Sequence, residues 1–223
     1  MSEKNIVWDR FIRVFHWSLV GLFMVSYLSG ENEHWIHSYS GYAITALIAM
    51  RLLWGAMGSQ YARFKQFIYK PSTIMDYSRA VFSGKPKRYL GHNPLGGLMV
   101  LVMLVTLSAI TLSGMKLYAV EEGKGPFSAE VNVSLVNTAY ADSDEYGHKR
   151  DHDEQYENRN NRYGSEKQGA KEQEDFWEDI HEGAISFMIL LILLHIGGVI
   201  LSSRMHNESL VKAMVDGKKQ NSI

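Results

Sequence analysis

The chain has 223 residues, a formal net charge of -1 and a mean hydropathy of -0.17, averages that resemble those of a soluble domain. It contains no cysteine, which excludes disulfide bonds, c-type haem attachment and cysteine-bound iron–sulfur clusters. These averages conceal the layout of the chain, because the apolar residues are concentrated in separate runs.

Four apolar runs cover about residues 12–30, 38–58, 95–117 and 183–203. Each is close to the roughly 20 residues that an α-helix needs to cross a bilayer. The pattern predicts an all-α fold, an integral membrane four-helix bundle that forms a single domain over residues 1–223. The first run is not typical of a cleaved signal peptide, because His16 and Trp17 lie inside it and no small-residue cleavage site follows.

Basic residues are distributed unevenly around the four runs. Fourteen lysines and arginines lie before or at the start of the first run, between the second and third, and after the fourth. Basic residues accumulate in short cytoplasmic segments, so this side is predicted to be cytoplasmic. We expect a multi-pass protein of the bacterial inner membrane, surrounded by lipid, with both termini in the cytoplasm. No nucleic-acid partner is expected.

The first run carries His16 about one turn inside its cytoplasmic end. The second begins with His37 at its outer end; His34 is the alternative at this depth, but it lies further out in a polar loop. Gly41 follows His37 by one turn, where the missing side chain either lets a flat ligand approach or serves ordinary helix packing. Arg51, on the same stripe near the cytoplasmic boundary, either meets an acidic group of such a ligand or extends to the membrane surface.

The segment before the third run ends in RYLGHNPLGG, in which Asn93 and Pro94 suit the N-cap and the first position of a helix. His92 then lies at the inner membrane surface. A surface histidine is the plainer interpretation, and a role near a quinone or an acidic group of a cofactor is the alternative. The third run has no charged residue before Lys116, which is typical of a helix that only packs against its neighbours.

A very polar stretch covers about residues 119–176. From Asp142 to Asp175 it has few aliphatic residues, so it cannot bury enough apolar surface to fold alone. We predict a long, largely disordered outer loop between the third and fourth helices. His148 and His152 are interpreted as solvated side chains rather than as a weak metal site.

The fourth run carries His181 at its outer mouth and His195 inside it. Their spacing puts both on nearly the same helix face, about 21 Å apart along the axis. A histidine is costly in hydrocarbon, so we expect a functional partner on another helix; the alternative is a histidine satisfied by a facing hydroxyl or carbonyl. By depth, His195 matches His16 (the inner pair) and His181 matches His37 (the outer pair).

Imidazole is an axial ligand of haem iron, and helix bundles build cofactor sites from inward-facing side chains. Each pair is therefore predicted to hold one iron, which gives two b-type haems with bis-histidine ligation at two depths. The metal ligands would be His16, His37, His181 and His195. Gly41 and Arg51 are the further candidates for contacts with the cofactors.

Four stretches of the chain resemble the prokaryotic cytochrome b561 family, which includes the b-type cytochrome subunits of nickel–iron hydrogenases. They are VWDRFIRVFHW, IHSYSGYAITALIAMRLLWG, RYLGHNPLGG and DIHEGAISFMILLILLHIGGV. The resemblance implies a four-helix membrane protein with two bis-histidine haems. It also implies electron exchange between membrane quinone and a periplasmic redox protein, either a hydrogenase or a dihaem or other c-type cytochrome. The short first outer loop and the acidic stretch depart from the hydrogenase subunits.

Two functions follow from these observations. The first is an electron-transfer subunit of a respiratory chain, because bis-histidine ligation leaves no open coordination position on the iron. The second is an enzyme that oxidises a small species such as superoxide at the outer surface, with quinone as acceptor. Seventeen acidic residues from Glu121 to Glu182 would repel an anion and favour the first. A haem-free transporter or scaffold would leave four membrane histidines unexplained.

Overall fold

The computed structural model describes residues 4–30, 34–129 and 152–220. In chain order its elements are β1 Lys4–Ile6, α1 Arg10–Ser29, α2 His34–Met57, α3 Pro71–Phe82, α4 Pro94–Glu122, α5 His152–His206, α6 Leu210–Asp216 and β2 Lys218–Gln220. Within these residues, four helices contain segments long and apolar enough to cross a membrane, namely Arg10–Ser29, Trp35–Met57, Pro94–Glu122 and Gln168–His206. The prediction of four spanning helices is confirmed.

The chain divides into two compact units, one of Met1–Ser108 with Ser186–Ile223 and one of Ala109–Ile185. The spanning segments bury only 11 to 28% of their residues inside the protein. Large apolar side chains such as Leu53 and Leu193 are exposed. Apolar surface of this extent is what lipid tails contact, so the exposure fits a membrane location.

The fourth spanning helix is much longer than predicted. α5 begins at His152, so residues 152–176, predicted as loop, are helical, and α4 continues to Glu122. The polar part of α5 is rich in Glu, Gln, Lys and Arg, which are strong helix formers. Extending a helix costs far less than nucleating one, so the apolar span supports the turns before it. The prediction of a disordered loop is therefore wrong for residues 152–176. The part of the predicted loop at 130–151, with His148, lies outside the described residues.

Short elements that were not predicted from the sequence lie between the second and third spans and before the first and after the fourth. α3 follows a 3₁₀ turn at Phe64–Gln66, and α6 follows α5. β1 and β2 form an antiparallel ladder with Ile6 opposite Lys218. The fold is therefore helical, as predicted, apart from this two-stranded sheet. The predicted cap of α4 is confirmed, because Oδ1 of Asn93 accepts the N–H of Gly96 at 2.7 Å.

Asp9 fixes the start of α1 against the end of α2. As the N-cap, its carboxylate accepts the backbone N–H of Ile12 at 2.8 Å, and it also accepts the indole N–H of Trp54 at 3.0 Å and the hydroxyl of Ser59. Burial alone would raise the pKa of Asp9, but these hydrogen bonds and the charge of Arg51 lower it below its usual value. Asp9 is therefore an ionised tether between the two helices.

Gly217 joins the C-terminal segment to the start of the chain. Its φ of 79° lies in the left-handed region and ends α6. Its carbonyl accepts the N–H groups of Val7 and Trp8 at 2.9 and 3.2 Å. A Cβ at this position would lie 2.6 Å from the carbonyl oxygen of Trp8, so the turn requires glycine.

Candidate functional site

The two histidines of the inner pair lie beside each other. The ring centroids of His16 on α1 and His195 on α5 are 6.4 Å apart, with 49° between the ring planes. Two imidazoles that bind one metal ion from opposite sides, through metal–nitrogen bonds of about 2 Å, have centroids about 6 Å apart. The separation therefore fits one metal ion between the rings.

The ring of His16 has an unsatisfied nitrogen. Its Nδ1 is buried and has no hydrogen-bond partner among the described residues. A buried polar group left in this state costs about 1–3 kcal/mol. The ring of Trp17 packs edge-on against His16 with centroids 5.2 Å apart and offers no acceptor in this contact. A metal ion or an acceptor group at the inner pair would remove the cost.

The donor set fits one kind of metal cofactor. Among the residues that the structure describes, no group of three or more His, Cys, Asp or Glu side chains is arranged to hold a metal ion. Protein-bound zinc and calcium usually take more ligands from the protein than two histidines. Haem iron brings its equatorial ligands with it and needs only axial ones. The inner pair therefore fits haem iron.

His37, the outer histidine of α2, is oriented by α1. Its Nδ1 lies 2.9 Å from the carbonyl oxygen of Ser26 and 3.4 Å from the hydroxyl of the same residue. A carbonyl only accepts hydrogen bonds, so Nδ1 carries the proton and the lone pair is on Nε2. This is the tautomer in which a histidine binds a metal through Nε2 with its other nitrogen anchored.

His181, the outer histidine of α5, is oriented in the same way by α4. Its Nδ1 lies 2.9 Å from the carbonyl oxygen of Ile110 and 3.1 Å from the hydroxyl of Ser113. A Cβ on Gly114 would lie 2.9 Å from Cε1 of the ring, so the ring uses space that only glycine leaves. The carbonyl bond again places the lone pair on Nε2.

The alternative interpretation of the membrane histidines, a bond to a facing hydroxyl or carbonyl, is thus observed at both outer histidines. It does not compete with metal binding, because it uses Nδ1 and a metal would use Nε2. The partners Ser26, Ser113 and Gly114 were not predicted from the sequence. The adjacent serine and glycine in an otherwise apolar α4 were the available signal.

The two remaining candidates for cofactor contacts differ in their surroundings. A Cβ on Gly41 would meet no described atom within 4 Å, so close helix packing does not explain this glycine. Arg51 is only 3% exposed, and its guanidinium carbon lies 4.9 Å from the ring centroid of Phe64. The alternative interpretation, in which the Arg51 side chain extends to the membrane surface, is therefore wrong. Its Nη1 is buried without a hydrogen-bond partner in the described part of the chain.

His92 is not the surface histidine that the sequence favoured. Its ring centroid lies 4.6 Å from the rings of both Trp8 and Phe67, and its Nδ1 is buried without a partner among the described residues. Burial first, and then the charges of Arg51, Lys219 and His195, lower the pKa of His92 to about 3. The surface interpretation failed because Trp8 and Phe67 are far from His92 in sequence.

Four apolar spans with histidines that lie beside each other or are anchored by hydrogen bonds are typical of a membrane protein that binds a metal cofactor. The family model for prokaryotic cytochrome b561 matches residues 7–217. The chain belongs to the prokaryotic cytochrome b561 family, which confirms the resemblance drawn from the sequence. It is a membrane b-type cytochrome that binds haem and transfers electrons. No curated protein and no solved structure matches the chain.

Proposed function

We propose that the protein binds two b-type haems, one through the inner pair and one through the outer pair, and transfers electrons between quinone and a periplasmic redox protein. The observation that carries the proposal is the 6.4 Å between the ring centroids of His16 and His195. Haem supplies a centre that takes up and releases one electron. Axial histidines on both faces leave no open position on the iron, which favours electron transfer over oxygen chemistry.

The residues around the outer pair set the strength of its ligands. The carbonyls of Ser26 and Ile110 accept the Nδ1 protons of His37 and His181. Such a bond fixes the ring and makes its other nitrogen more basic. At the inner pair, the buried Arg51 supplies a positive charge for an acidic group of the cofactor. At the outer pair, Gly41, one turn after His37, leaves room beside α2.

A reduced-minus-oxidised absorption spectrum of the purified protein, with haem quantified per chain, tests this function. Two b-type haems per chain are expected, because there are two histidine pairs. A protein without haem would overturn the proposal, and a single haem per chain would show that one of the two histidine pairs does not bind haem.

Both termini are proposed to lie in the cytoplasm of a bacterium, with the protein in the inner membrane. Fourteen basic residues on one side of the spans support this orientation, and the pairing of β1 with β2 supports a common side for both ends. A protease added to sealed, right-side-out vesicles is expected to cut between Glu121 and Asp179. Cleavage after Arg204 with protection of that segment would reverse the orientation.

Gly114→Ala is predicted to disturb the outer haem alone. The new methyl group would lie 2.9 Å from Cε1 of His181, and overpacking of this kind costs about 1–3 kcal/mol. The outer-haem band should weaken or shift, while the inner-haem band stays unchanged. Gly183→Ala is the matched control, because its methyl group would meet no described atom within 4 Å. Identical spectra for the two variants would show that the ring of His181 moves at no cost.

The exposed acids on α5 favour a positively charged protein partner, such as a basic c-type cytochrome or a hydrogenase with a basic docking face. They are Glu172, Asp175, Glu178, Asp179 and Glu182. Negative charge near His181 raises the encounter rate with a cationic partner and repels an anion such as superoxide.

Replacing these five acids by their amides is predicted to slow the reduction of a basic c-type cytochrome by about tenfold or more at low salt. The rates of the two proteins should converge at high ionic strength, because salt screens exposed charges beyond about 10 Å at 0.1 M. Asp76→Asn, at an exposed acid of α3, is the control and should leave the rate unchanged. Equal rates at low salt would mean that the acids serve solubility alone.

A further inference from the structure

The unsatisfied buried nitrogens of the described residues all lie in the unit that contains the inner pair. In the described part of the chain they are Arg13 Nε, His16 Nδ1, Arg51 Nη1 and His92 Nδ1. All four belong to the unit of Met1–Ser108 with Ser186–Ile223. Among the described residues, no buried side-chain oxygen lacks a hydrogen-bond partner. Arginine nitrogens only donate hydrogen bonds. The group that completes this region must therefore be an acceptor.

Arg51 and His92 share an aromatic neighbour. The guanidinium carbon of Arg51 lies 5.9 Å from the ring centroid of Phe67, and the ring centroid of His92 lies 4.6 Å from the same point. The charge of Arg51 acts on His92, and so does His195 of the inner pair. His92 is therefore within electrostatic range of both Arg51 and the inner pair.

Arg51 needs an anion that the described residues do not fully supply. Its acidic neighbour is Asp9, and the charge of Arg51 contributes to the lowered pKa of the Asp9 carboxyl group. The Asp9 carboxylate already accepts bonds from the Ile12 N–H, the Trp54 indole and the Ser59 hydroxyl. A buried guanidinium with an unpaired donor is costly, and a carboxylate is the ligand that its planar fork fits best.

His92 adds a donor without adding a charge. With its pKa lowered to about 3, mainly by burial, the ring is neutral at physiological pH. A neutral imidazole has one N–H, which on Nδ1 would point from a buried position at an acceptor. Among the described residues, Trp8 and Phe67 contact the ring and the charges of Arg51, Lys219 and His195 act on it, and none of these groups is an anion.

We propose that Arg51 and His92 together bind a carboxylate side arm of the cofactor held by the inner pair. Arg51 provides the charge and one hydrogen bond, and His92 provides a second, neutral hydrogen bond. This inference rests on the proposed function, because b-type haem carries the carboxylates. A quinone carbonyl would use the N–H of His92 but leave the charge of Arg51 uncompensated, so a carboxylate satisfies both donors. His92 is thus a positioning residue for the inner haem.

The test compares haem with haem dimethyl ester, in which both carboxylates are blocked. The full-length protein in detergent is stripped of haem and titrated with each compound, and the inner binding step is the one that His195→Ala abolishes. Wild type is expected to bind haem at this site about ten- to a hundredfold more tightly than the ester, the range for hydrogen bonds to a charged group. Arg51→Gln and His92→Phe should each lose most of this preference.

The outer binding step in the same samples shows whether each variant is folded, and Arg79→Gln, at an exposed arginine of α3, is the matched control. An unchanged preference in Arg51→Gln and His92→Phe would overturn the proposal. Equal affinity of wild type for haem and ester, with stabilisation of the stripped protein by acetate that Arg51→Gln removes, would assign the cluster to a free anion and also overturn it. The lack of any inner binding step in wild type would instead refute the proposed function.

Discussion

His195→Ala should leave the protein with one haem per chain, the outer one. The inner iron would keep His16 as its only proposed protein ligand, because the ring that lies 6.4 Å from it would be gone. Because each pair serves its own iron, the outer haem should keep its absorption band. Haem content and the reduced-minus-oxidised spectrum measure the effect.

His16→Ala is expected to give the same spectrum as His195→Ala, because both remove one ligand of the same iron. His206→Ala, at the end of α5, is the control and should retain both haems. Retention of both haems in His16→Ala and His195→Ala would refute the inner pair. Loss of both the inner and the outer haem band in either variant would show that the two sites depend on each other.

His181→Ala should remove the outer haem and stop electron transfer to the periplasmic partner, while the inner haem remains reducible by quinol. The ring of His181 is the proposed ligand, and no other described histidine lies on the outer part of the spanning segment of α5. Ser113→Ala is the informative control. It removes a hydroxyl 3.1 Å from Nδ1 but leaves the carbonyl of Ile110 at 2.9 Å, so the haem should stay bound.

Stopped-flow reduction by quinol and subsequent oxidation by the partner separate the two halves of the reaction. Normal reduction of one haem without onward transfer is the expected result for His181→Ala. Onward transfer at the wild-type rate would mean that electrons leave from the inner haem, and the outer pair would then have no part in the pathway.

The sequence was sufficient for the features that depend on local periodicity. The four spans follow from the length of the apolar runs, and the depths of His16 and His195 follow from their positions within those runs. Their closeness in the structure agrees with that depth argument, although haem ligation itself stays a prediction. The helical period carries this information because it fixes face and height together.

Features that depend on distant parts of the chain were not predictable in this way. His92 is enclosed by Trp8 and Phe67, and its surroundings include Lys219 from the last strand. Nothing near His92 in sequence indicates these neighbours. The extent of α5 was missed for a different reason, because low apolar content argues against an independent fold but not against the continuation of an existing helix.

The pairing of β1 with β2 has a consequence for how the protein is made. β1 precedes all four spans in the chain and is synthesised before them, whereas its partner Lys218–Gln220 follows the fourth span and is synthesised after it. The bonds from Val7 and Trp8 to Gly217 therefore form only after all four spans have been synthesised. Trp8 packs against His92, so the surroundings of the inner pair are completed only after the fourth span has been synthesised.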